Sequence, residues 1–187
     1  MINPQQFLPN LATPNHLATP YSTMSCKFSI KTPADCMLSE LFYFYLLVKK
    51  GNKVSTIELT QKIYSCQLLA FCYLGNRLVG ISAIKRPAQS YITQVHEKAG
   101  ITRNINDYAV ELGYSYTEPE FRKMGISRML KAMLQSKITQ QKGFIFSTTA
   151  VATSQRYLTS QGFVACGNPY QGTFDNEIVY FEKRISY

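Results

Sequence analysis

The chain predicts an α/β (mixed, α+β) domain: a central mixed, mostly antiparallel sheet with helices on both faces. Three observations carry this. LLAFCYL (68–74), the turn GN and RLVGISAIK (77–85) read as an antiparallel β-hairpin, because the turn residues tolerate positive φ. Residues 126–138 place apolar side chains at 126, 129, 130, 133, 134 and 138, one face of a 3.6-residue period. That helix lies between two strand-like runs, DYAVELGYSYT (107–117) and GFIFSTT (143–149). A strand–helix–strand crossover of this kind sets the two strands side by side and parallel.

The remaining elements follow in order. CKFSIKT (26–32) alternates as a first strand does. Thr32 and Pro33 are read as the N-cap and first position of a helix reaching Lys49 and stopping at Gly51, with Asp35 facing its positive end. STIE (55–58) has the form of a capping box opening a second helix through Ile63 and Cys66. Residues 86–106 read as polar and irregular. A short helix at 152–161 and strands at 162–166 and 177–183 close the chain.

The 187 residues, 45% of them hydrophobic, suit one domain with a substantial core. Residues 1–25 hold four of the eight prolines and no charged side chain, and LATP occurs twice in them. They are expected to form a flexible arm ahead of a domain spanning 26–187. No secretory signal is visible, and the longest apolar run, 41–48, falls short of the roughly 20 residues that span a bilayer. The five cysteines contain no C-x-x-C pair, and there are two histidines. This favours reduced, mostly buried thiols in a cytoplasmic protein and argues against a zinc site. Twenty Lys and Arg against eleven Asp and Glu, a net charge of +9, favour anionic partners: a phosphorylated cofactor, an acidic substrate or nucleic acid. The basic residues show no regular aromatic interleaving and no recognition-helix pattern, which puts nucleic acid second.

EPEFRKMGIS (118–127) is the stretch richest in chemistry. A strand ends before it and a helix begins inside it. The first helical amides have no partners in the helix, and the dipole adds positive charge there. Gly125 allows close approach, Arg122 and Lys123 add charge, and Ser127 adds a hydroxyl donor. This chemistry suits a diphosphate, although a plain strand-to-helix turn with solvated charges has the same outline.

Arg122, Lys123, Met124, Gly125, Ile126 and Ser127, preceded by Pro119, Glu120 and Phe121, resemble the R/Q-x-x-G-x-G/A signature of the GNAT superfamily of acyl-CoA-dependent N-acetyltransferases. Ser127 stands where the family has Gly or Ala. YLTSQGF (157–163) resembles its second motif, a helix ending in Gly-Phe. The resemblance covers roughly residues 26–187. It implies a GNAT-like acyl-CoA N-acyltransferase fold with acetyl-CoA as cosubstrate and an amine, on a small molecule or a protein, as acceptor. It implies that the strand before the signature splays from its parallel neighbour to admit the cofactor. Backbone around Ser115, Tyr116 and Thr117 would pair with the pantetheine arm, the Ser115 amide would donate to the thioester carbonyl, and the amides from Lys123 to Ser127 would hold the pyrophosphate. Glu111, eleven residues before Arg122, sits where several family members carry a general base; a structural ion pair is the other reading.

The second motif departs from the family. The general-acid tyrosine is expected at position 158, which is Leu158, beside Tyr157. Tyr157 is either the acid or a packed aromatic. The family's asparagine has no counterpart, and Thr153 and Ser154 are the polar substitutes. His96 is expected to be a solvated loop residue, with a role as base or acceptor ligand the alternative. Strict strand alternation would set Glu111, Gly113, Ser115 and Thr117 on one face and Leu112, Tyr114 and Tyr116 on the other.

Overall fold

The structure is a computed structural model and describes residues 25–185. The predicted arm, Ser25 apart, lies outside these residues. Seven strands, β1 (Cys26–Lys31), β2 (Leu68–Leu74), β3 (Arg77–Lys85), β4 (Tyr108–Thr117), β5 (Phe144–Thr149), β6 (Val164–Tyr170) and β7 (Ile178–Arg184), form one sheet in the order β1-β2-β3-β4-β5-β7-β6. Every pairing is antiparallel except β4 with β5, the pair joined by the predicted crossover.

Helix α4 (Ile126–Ser136) and helix α5 (Ala152–Ser160) cover one face, where Leu130, Leu134 and Leu158 pack with Ile84, Leu112 and Ile145. Helix α1 (Leu38–Gly51) and helix α2 (Leu59–Tyr64) cover the other face at the β1–β3 end, around Phe44, Ile63 and Phe71. Helix α3 (Gln89–Ala99) covers it at the β5–β7 end, with Ile92 and Val95 against Phe146 and Tyr180.

Four local expectations change. A 3₁₀ turn at Pro33–Asp35 precedes α1, so Thr32 does not cap it; the Thr32 hydroxyl donates to Asp35 at 2.6 Å. The Glu40 carboxylate instead accepts from the Met37 amide at 2.8 Å, and the helix ends at left-handed Asn52. The 55–58 stretch is a turn, not a capping box: Ser55 accepts from the Ile57 amide, and Glu58, at φ 54°, leads into α2. Two cysteines, Cys66 and Cys72, are buried, while Cys26, Cys36 and Cys166 are partly exposed. Residues 89–99 form a helix rather than a loop. Its buried residues, Ile92, Val95, His96 and Ala99, keep helical spacing, but counting His96 as polar breaks the apolar face in the sequence.

His96 is therefore not a solvated histidine. It is buried between the rings of Tyr108 and Tyr180, 4.9 and 5.4 Å away, with Nε2 3.2 Å from the Tyr180 hydroxyl. Burial lowers its pKa below the ordinary 6.5; the Arg103 backbone and the charge of Glu182 oppose this, and the Arg103 charge adds a smaller push in the same direction as burial. The unfolded chain then binds a proton more readily than the fold does. Stability contributed by neutral His96 is complete above the unfolded value and is lost as pH falls below it. The denaturation midpoint is expected to drop between about pH 7.5 and 5.5, and His96→Gln is expected to flatten this slope.

Candidate active site

The site is built by two irregularities in β4. The first is a bulge. Ala83 pairs with Gly113 and Ile81 with Tyr116, so β4 spends one more residue than β3 across this stretch. Tyr114 takes up the excess at φ 49°. The extra residue reverses the alternation expected from the sequence. Glu111 and Gly113 share their face with Tyr114 and Tyr116, which pack toward α1 and α2. Ser115 and Thr117 lie on the α4 face with Leu112. The Ser115 hydroxyl meets that of Ser82 at 2.8 Å.

The second irregularity is a parting of strands. β4 and β5 pair only from Tyr108 to Glu111, and a last link runs from the Ser147 hydroxyl to the Leu112 carbonyl at 2.8 Å. Beyond it β4 continues with β3 and β5 with β7. A cleft of about 820 Å³ opens there. All the site residues singled out in the sequence line it except Met124, Tyr157 and His96.

At one end of the cleft is the 122–127 turn. Lys123 and Gly125 both have left-handed backbone, at φ 66° and 78°, which turns the chain sharply into α4. The Met129 amide to the Gly125 carbonyl, 3.0 Å, is the first bond of the helix. The amides of Ile126, Ser127 and Arg128 are thus free to meet a ligand. A Cβ placed on Gly125 would meet nothing within 4 Å, so the space over the turn is open. An anion of diphosphate size fits these donors.

On the other face Glu111 is buried and ion-paired with Lys85 at 2.6 Å. The Lys85 ammonium lies over the rings of Tyr114 and Tyr91, 4.8 and 5.3 Å from their centroids. Burial opposes the lysine charge, but Glu111 and Tyr114 outweigh it and hold the Lys85 pKa above the ordinary value. The negative charge of Glu111, aided by burial, raises the Tyr91 hydroxyl well above the tyrosine range. Burial pushes Tyr114 up to about 12. An ion pair between Lys53 and Asp175 joins the α1–α2 and β6–β7 connections, and both residues line the cleft.

Tyr157 is a packed aromatic. It is buried on the α4 face, and its hydroxyl accepts from Gln135 at 3.2 Å, away from the cleft lining. The helical register turns it there, as expected for a tyrosine one position from the motif's own. Sequence reasoning also missed Lys131 of α4, which is buried and lines the cleft. It accompanies the apolar stripe as its immediate neighbour at Leu130, and nothing in the period marks it as buried. Lys85 was missed because its partner is 26 positions away.

No protein-family model matches the chain, and no curated protein matches it in sequence. Solved structures do match it in shape. The acyl-CoA N-acyltransferase from Pseudomonas aeruginosa superposes with a TM-score of 0.61 at 17% identity, over 85% of this chain and 99% of that one. This is the GNAT fold. The ribosomal-protein-S18-alanine N-acetyltransferase from Escherichia coli shares the GNAT fold with this chain at a TM-score of 0.60 and 13% identity, over 86% and 96% of the two chains. The N-acetylglutamate synthase from Neisseria gonorrhoeae, complexed with coenzyme A and N-acetyl-glutamate, matches over 86% of this chain and 36% of its own, with a TM-score of 0.56 and 13% identity. Among the described residues of this GNAT fold, no helix is long and apolar enough to cross a membrane.

Proposed function

We propose that the protein is an N-acetyltransferase that moves an acetyl group from acetyl-CoA directly to a primary amine. The parting of β4 from β5 above an open helix N-terminus carries this reading. Acetyl-CoA supplies the activated acetyl group when bound. The turn at 122–127 holds its diphosphate through backbone amides and the charges of Arg122 and Lys123. The bulged backbone at Ser115 and the edge to Thr117 receive the pantetheine arm, with Thr153 and Ser154 across the cleft. The Ser115 amide stabilises the negative charge that develops on the carbonyl oxygen. Glu111 removes the proton from the attacking amine, and Lys85 and the tyrosines beside it position the carboxylate. The amine belongs to a small molecule or a protein, and RNA is a third acceptor class compatible with the charge of +9.

A non-catalytic acyl-CoA-binding protein on the same fold is the second reading, favoured by the engagement of the Tyr157 hydroxyl with Gln135, outside the cleft lining. One titration precedes every other test. Acetyl-CoA at 100 times its Kd is expected to stabilise the fold by about 2.7 kcal/mol, with ATP giving no shift. No shift with either ligand would reduce the cradle to a turn. A shift without transfer to any amine in a broad panel would establish the second reading.

A further inference from the structure

Lys131 is a buried cation without an anion. Every buried carboxylate among the described residues has a basic partner: Glu40 has Lys31, Glu111 has Lys85, Glu118 has Lys50 and Glu182 has Arg103. Lys131 is 5% exposed and has only the Ser154 hydroxyl, at a long 3.4 Å, and the face of the Tyr157 ring at 5.2 Å. An ammonium has three donors to fill, and burying it half-satisfied is costly. A leucine in this place would be the more stable choice.

Its position is specific. It lies in the second turn of α4, inward from the free amides of Ile126 and Ser127, and lines the same cleft. From α5 it meets Ser154 and Tyr157. Its own helix adds Arg128, which also lines the cleft, and Gln135, which is engaged by Tyr157. No carboxylate contacts it. The Tyr157 hydroxyl is engaged by Gln135 away from the cleft lining, and Leu158, one helical turn beyond Ser154, has no proton to give. Acyl transfer from a thioester nonetheless expels a thiolate, which needs one.

We propose that the Lys131 ammonium is the proton donor to the departing thiolate, an inference that rests on the acyl-CoA reading above. The amine nitrogen bonds to the carbonyl carbon, and the carbon–sulfur bond breaks with its electron pair left on sulfur. Sulfur takes a proton from Lys131 Nζ. The proton shed by the amine passes through Glu111 to water, and Lys131 is recharged from water. Burial draws the Lys131 pKa down to about 8. A cysteine thiol titrates at about 8.5 and a simple alkyl thiol higher, so the departing thiolate is at least as strong a base as the Lys131 amine and takes the proton readily.

Lys131→Met and Lys131→Gln test this, read first by calorimetric binding of CoA and desulfo-CoA between about pH 7 and 9. The native protein is expected to bind CoA about tenfold more tightly than desulfo-CoA, because the ammonium favours the thiolate. Both variants are expected to bind the two ligands alike, with desulfo-CoA affinity unchanged. Turnover should fall by about 100-fold or more, and the decline of native kcat above about pH 8 should vanish. Variants that keep the preference for CoA overturn the proposal. So does equal weakening of both ligands, which would make Lys131 an anchor for the rest of the cofactor. Native protein that binds neither ligand overturns the acyl-CoA reading itself.

Discussion

Glu111→Gln is expected to lower kcat at neutral pH by about 100-fold or more, a barrier increase of roughly 2.7 kcal/mol. The loss should narrow as pH rises. An amine must be neutral to attack, and without a carboxylate to take its proton it depends on bulk ionisation, which supplies more neutral amine at higher pH. The deficit should therefore shrink up to tenfold per pH step until the amine is fully neutral. Structure complicates the experiment, because Glu111 is the anion that balances Lys85 in a largely buried site. Breaking one side of a buried pair costs about 3–5 kcal/mol of stability. The double variant Glu111→Gln with Lys85→Met removes that unpaired charge. It should melt close to the native protein and stay slow at neutral pH. Recovery of native turnover in the double variant, or an equal loss at neutral and high pH, would show that Glu111 serves only its ion pair.

Gly125→Asp is expected to weaken acetyl-CoA binding by about 100-fold or more while leaving the fold nearly as stable. Aspartate is among the few residues that tolerate left-handed backbone, and the space over Gly125 is open. Its carboxylate would occupy the anion cradle, and like-charge contact with a diphosphate costs several kcal/mol. Gly125→Asn is the neutral comparison, with a similar shape and backbone preference. The two should separate in isothermal titration with acetyl-CoA, Asn losing far less than Asp. Equal behaviour would show that charge at this turn does not govern binding.

Local grammar and anion chemistry made much of this protein readable. The hairpin at Gly75 and Asn76, the amphipathic run from Ile126 and the crossover at 107–149 are all encoded within a few neighbouring residues, and each appears in the fold. Caps read less well. Thr32 and Ser55 carry capping side chains, yet each spends its hydroxyl locally: Thr32 donates to the Asp35 carboxylate, and Ser55 accepts from the Ile57 amide within a tight turn. Helix α3 escaped notice because its buried face includes His96, a residue that becomes apolar in effect only between Tyr108 and Tyr180.

The sequence by itself determined the order of strands and helices along most of the chain and the basic glycine turn before α4, since propensity and periodicity act over short distances. The tertiary structure alone decided which side chains share the cleft. One extra residue at Tyr114 reverses the facing of everything after it, sending Ser115 and Thr117 to the opposite face from Glu111. Lys85 and Glu111 meet only because β3 pairs with β4, and Lys131 is buried only because α5 packs over it. Register, bulges and helix packing are settled by contacts between distant segments, and these leave no period in the chain for a reader to follow.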